Sequence, residues 1–199
     1  MPIPNEPLVK SVLAVGGRGS IIRRAVDDAW QSFHEKYPER AWWRRKSTRA
    51  ALLWEHSVQN AIAGLEGDVG CKPIPHDDTV SFVFDQSVLV RFKKADIELR
   101  TRNYPTFLSN LFHSHEEDLF GFNGLHRVEA VYVLNQYQTS IDWCGIVARN
   151  HKKVLWQAEL VIGSSVERIP LPERTDTAAE RVLRPKTIPE AKPDAETMK

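Results

Sequence analysis

The chain has 199 residues, 42% of them hydrophobic, which is enough for one domain with a substantial core. Its formal net charge of +1 gives no overall electrostatic case for nucleic acid, and no apolar run reaches the roughly 18 residues of a membrane span. Cys71 and Cys144 sit in no CxxC pair and beside no metal-spaced histidines, which argues against zinc; with an N-terminus that lacks an export pattern, they point to a soluble protein of the reducing cytoplasm.

Charge is unevenly spread along the chain. Residues 1–64 hold ten Lys/Arg against six Asp/Glu, so an anionic partner is expected to meet this part of the chain and the basic strand described below. In residues 20–36, Ile21, Ile22, Ala25, Val26, Ala29, Trp30 and Phe33 recur at helical spacing, with Ser20 as the expected N-cap and Tyr37-Pro38 as the stop. A second helix fits 46–64, with Leu53, Trp54, Val58 and Ala61 on its apolar face. Between the two lies ERAWWRRK, in which a pair of tryptophans meets three consecutive cations.

From Pro73 the period becomes that of strands. Strands are expected near 79–85 and 87–94, a helix over 105–114, and further strands near 127–134, 140–149 and 153–162. Helices followed by mostly consecutive strands, with one helix inserted, predict an α+β fold with a largely antiparallel sheet over residues 1–163. Residues 164–199 carry five prolines, much charge and no aromatic residue, and read as a disordered tail.

Three motifs carry candidate chemistry. Val15-Gly16-Gly17-Arg18-Gly19-Ser20 opens a helix but lacks both a Walker lysine and a following strand, so it reads as a turn and not as a phosphate loop. His113-Ser114-His115 supplies two imidazoles, short of a three- or four-ligand metal site. Glu55 on a helix, Asp85 at a strand end and Lys93 on the next strand follow the order of a restriction-nuclease core, whose acids would hold Mg²⁺. That core needs a second acid where Arg91 stands, although Glu159 on the last strand could replace it.

The stretch VSFVFDQSVLVRFKKADIELRTRNYPT turns from apolar to basic. Arg91, Lys93, Arg100 and Arg102, with Tyr104 among them, can grip phosphates and stack on bases, helped by Trp43, Arg44 and Arg45 from the connector; edge protection is the competing reading of the strand cations. Trp143 and Trp156 alternate with aliphatic neighbours and are expected in the core.

VLVRFKKADIELRTRNYPT, LHRVEAVYVLN and IVARNHKKVLW, spanning roughly residues 79–160, together resemble a family of small bacterial proteins from prophage-like and toxin–antitoxin-like loci, in which RFKK…NYPT is the most distinctive piece. The resemblance implies a regulatory or phage-defence setting, often beside a helix-turn-helix regulator, and brings no catalytic residues with it. The reading reached from sequence is a non-enzymatic, cofactor-free module that binds nucleic acid or a nucleic-acid-binding partner. The alternative is a metal-dependent nuclease or toxin using Glu55, Asp85, Lys93 and Glu159.

Overall fold

The computed structural model describes residues 3–101, 106–115 and 118–163. The expectations for Arg102, Tyr104 and the segment 164–199 lie outside them. The fold is α+β. Three helices, α1 (Glu6–Ala14), α2 (Arg18–Lys36) and α3 (Lys46–Gly64), precede the strands β1 (Cys71–His76), β2 (Thr79–Phe84) and β3 (Val88–Ala95). Helix α4 (Phe107–Ser114) and the strands β4 (His126–Leu134), β5 (Ile141–Asn150) and β6 (Lys153–Glu159) complete the order. The six strands form one sheet in sequence order.

The sequence predicts two N-terminal helices, and the structure has three. α1 buries only Val9 and Leu13, one turn apart, too sparse a stripe to stand out, yet the Asn5 side chain caps it by accepting from the Leu8 N–H at 2.9 Å. Between α1 and α2 the chain bends at Gly16 and Gly17, whose positive φ angles of 58° and 69° are left-handed conformations open to glycine at little steric cost. This is the turn expected from the glycine run. Ser20 is not the N-cap: α2 starts two residues earlier, and the Ser20 hydroxyl donates instead to the Val161 carbonyl.

The sheet is mixed. Four pairings are antiparallel, whereas β3 and β4 run parallel, with α4 in the crossover between them. β1 is absent from the strands expected from sequence; Pro73 and Pro75 would disrupt a central strand, and β1 forms because it is an edge. Both prolines sit at positions whose N–H would point away from β2, and the third such amide, that of Cys71, donates to the Asp68 carbonyl. That edge offers no donor to an incoming strand.

Alternation along the strands sorts the sheet into two unlike faces. Phe82, Phe84, Val88, Val90, Phe92, Val128, Ala130, Tyr132, Cys144, Ile146 and Ala148 pack under α1, α2 and α3 in the main core. The opposite face is covered by α4 and residues 118–125, where Val83 and Leu89 meet Phe112, Leu119 and Leu125. Farther along that face lie Ala95, Val131, Val133 and Val147, with Trp143 and Val154 against them. Trp156 packs on the main core, its indole N–H donating to the Pro4 carbonyl at 2.7 Å. No helix among the described residues is long and apolar enough to cross a membrane.

Candidate nucleic-acid interface

The basic strand is β3, and it lies in the middle of the sheet between β2 and β4. Edge protection therefore does not explain its cations. Residues of odd number on β3 face away from the main core, so Arg91 and Lys93 share the face covered by α4. Register places Arg91 directly across from Glu129 of β4. The Arg91 guanidinium donates to Glu129 Oε1 through Nη2 at 2.8 Å and Nε at 3.2 Å. Arg149 of β5 donates through Nε to Oε2 at 2.7 Å, and the Thr101 hydroxyl meets the same oxygen. Arg149 also donates to the Leu99 carbonyl, and Arg91 lies over the Phe112 ring at 3.7 Å.

This Arg–Glu–Arg triad is closed to solvent. Glu129 is 1% exposed and Arg149 4%, so two guanidiniums engage one carboxylate in a place where breaking the set leaves an unpaired buried charge. Burial alone would raise the Glu129 carboxyl; the cations beside it, Arg91 first, hold it below its ordinary range. His113 closes the cluster, its Nε2 2.7 Å from Arg91 Nη2, and burial followed by repulsion from Arg91 pushes its imidazole down to about 4. Arg91 is thus largely bound up within the fold, its Nε and Nη2 committed to Glu129 and His113. Lys93 is partly buried on the same face, its ammonium held below the usual lysine range by burial and by Arg91. Arg100 is exposed but already paired with Asp96 at 3.0 Å and Glu98 at 2.7 Å.

The connector between α2 and α3 differs. Residues Pro38–Trp42 form a short 3-10 helix fixed by Arg40, whose guanidinium donates to the His34 and Tyr37 carbonyls. Trp43 turns inward onto Phe33 and Tyr37, with ring centroids 6.0 and 5.5 Å away. Its neighbour Trp42 is 85% exposed. Arg44, Arg45 and Lys46 follow, all exposed and with no ion pair among the described residues. The sole acid between Tyr37 and Glu55 is Glu39. Of the two tryptophans weighed from sequence, the one free to stack is Trp42, not Trp43.

The residues of the nuclease alternative do not come together. Asp85 sits at the β2–β3 turn, where Arg18 of α2 donates to both its oxygens, at 2.5 and 3.0 Å. Lys93 is five residues along β3 from Val88, roughly 17 Å of strand from that turn. Glu55 is on the outer surface of α3, accepting from Gln59, and α3 packs on the face opposite Lys93. Glu159 lies on β6, three strands from β3 and so about 14 Å across the sheet. Among the described residues no three His, Cys, Asp or Glu side chains are grouped to hold a metal ion.

Sequence reasoning missed Glu129 and Arg149. Each interrupts an apolar strand, HRVEAVYVL and IDWCGIVARN, and a charge at such a position implies a buried partner of opposite sign; the register that unites them is not written in either segment. No family model, no curated protein and no solved structure matches the chain.

Proposed function

We propose that the protein is a non-enzymatic module that binds nucleic acid through the α2–α3 connector, in the bacterial regulatory or phage-defence setting that its sequence pattern implies. The observation that carries this reading is Trp42, an exposed indole on a short helical turn, followed by three exposed cations with no acid paired to them. Leaving so large an apolar surface in water is unfavourable, and a base stacked on it removes that surface while Arg44, Arg45 and Lys46 meet the adjoining phosphates. An unpaired base presents a face that can stack on a protruding ring, so the preferred substrate is single-stranded.

The test is fluorescence anisotropy with labelled single-stranded RNA and DNA over a range of salt. Binding is expected to weaken with salt, and Trp42→Ala to weaken it by about 5- to 150-fold, the range for one stacked base. Loss of Arg44 and Arg45 together should flatten the salt slope by about 1.4, or about 0.7 for each phosphate contact. Absence of binding at low salt, or tight binding indifferent to salt, would overturn the proposal; the second result would indicate an apolar protein partner.

A further inference from the structure

On the sheet face covered by α4, positive charge outnumbers negative. Among the described residues, Arg91, Lys93 and Arg149 are opposed by Glu129 alone, whose oxygens are already taken by Arg91, Arg149 and Thr101. Lys93 makes no hydrogen bond or ion pair with any described residue, although it is partly buried. Arg91 commits Nε and Nη2 to Glu129 and His113, and its Nη1 to none of the described residues. His76, at the end of β1, hydrogen-bonds with Ser81 of β2, and the β2–β3 register that pairs Phe82 with Val90 sets Ser81 next to Arg91, which brings His76 within electrostatic reach of Arg91 and Lys93. Its Nε2 is 2.8 Å from Ser81 Oγ, while its Nδ1 is buried without a partner. Among the described residues the one acid in reach of His76 is Asp77, in the β1–β2 turn.

We propose that Lys93, Arg91 Nη1 and His76 Nδ1 form a subsite for a phosphoryl group. A partly desolvated ammonium beside a guanidinium, with Glu129 already shared between two arginines and no ion pair of its own among the described residues, is an unfavourable arrangement that an oxyanion completes. A phosphate offers several acceptor oxygens, enough to receive from the lysine, the free guanidinium nitrogen and a ring N–H together, and such charge-assisted bonds are the strong ones. The bland account of Lys93 is a stem lying along apolar surface with its head in water, which needs no ligand. The two accounts differ in what phosphate does. The subsite shares no residue with the Trp42 connector and stands or falls independently of it.

The test is thermal unfolding of the full chain in inorganic phosphate against chloride at matched ionic strength and pH. Phosphate at about ten times its dissociation constant is expected to raise Tm by about 3–6 °C. Lys93→Met should abolish that rise while leaving the protein folded, because it removes a partly buried charge and keeps the stem; Lys93→Gln serves as a second variant. Arg44→Ala with Arg45→Ala should keep the rise in full. No phosphate-specific rise, or one that persists in both Lys93 variants, overturns the subsite. An oligonucleotide without terminal phosphates then identifies the source: displacement of bound phosphate assigns the subsite to a nucleic-acid backbone, and binding without displacement assigns it to a free phosphate or a monoester.

Discussion

Two basic regions of this chain are alike in composition and opposite in fate. β3 carries Arg91 and Lys93 among aromatic and aliphatic residues; the α2–α3 connector carries Arg44, Arg45 and Lys46 beside two tryptophans. In β3 the arginine is drawn into the fold, 2.8 Å from a glutamate that is 1% exposed. At the connector Arg44, Arg45 and Lys46 remain in water without an acid among the described residues. The difference lies in neighbours brought from far along the chain. Arg91 has Glu129 across the ladder, whereas the connector joins two helices and is part of no strand ladder. Cation density therefore tells where charge is, and only the fold tells whether it is available.

The largest effect expected from breaking this comparison is in the triad. Glu129→Gln leaves Arg91 and Arg149 facing each other with no carboxylate, and a loss of about 3–5 kcal/mol is expected, read as a lower Tm or urea midpoint. Replacing all three members by apolar residues of similar size should cost far less, since it removes the unpaired charges together with the pair. Acid should act in the same direction. The His113 imidazole titrates near 4 in the folded protein against an ordinary 6.5. Between those values the unfolded chain binds the extra proton, so this contribution is complete above about pH 6.5 and is lost as pH falls toward 4. Glu129, also depressed, adds to the loss at the acid end, below its unfolded value of about 4.3. Unfolding free energy measured against pH should rise through that window, and His113→Asn should reduce the slope by up to about 1.4 kcal/mol per pH unit.

The next contrast is between adjacent tryptophans. Trp43 packs against Phe33 and Tyr37, so Trp43→Ala is expected to lower stability by about 2–4 kcal/mol. Trp42→Ala should change stability by less than about 0.5 kcal/mol while weakening nucleic-acid binding. Equal stability losses for the two, measured by urea unfolding, would mean that the exposed ring is not free and would remove the stacking surface from the proposal.

The helices α2, α3 and α4 and five of the six strands are legible in the sequence because each carries its own period: Ile22, Ala25, Val26, Ala29 and Phe33 in α2, or the apolar run of β4 that marks a strand buried on both faces. α1 and β1 are not, for opposite reasons. α1 has too few apolar residues to show a stripe, and β1 carries prolines that forbid a central strand but suit an edge. The parallel pairing of β3 with β4 is equally hidden, because an inserted helix of eight residues is compatible with either direction. The site followed the same division. The basic residues were visible in the sequence, but the choice between Trp42 and Trp43 depended on which ring meets Phe33, and Arg91's availability on an acid 38 residues away.

Arg100 is the intermediate case, and the smallest effect is expected there. It is exposed like the connector arginines and paired like Arg91, with Asp96 and Glu98 both within 3.0 Å of its guanidinium. Its pairs lie in water, where an ion pair contributes little to stability. If exposure alone made a cation available, Arg100→Ala would weaken binding as much as Arg45→Ala. If uncancelled charge is what matters, Arg100→Ala should leave both Tm and the salt slope unchanged within error, because a phosphate would have to displace two carboxylates to reach it. Anisotropy titrations of the two single variants at one low and one physiological salt concentration decide between these outcomes. Unchanged binding by the Arg100 variant with a flatter slope for Arg45→Ala would show that the connector is basic in effect as well as in composition.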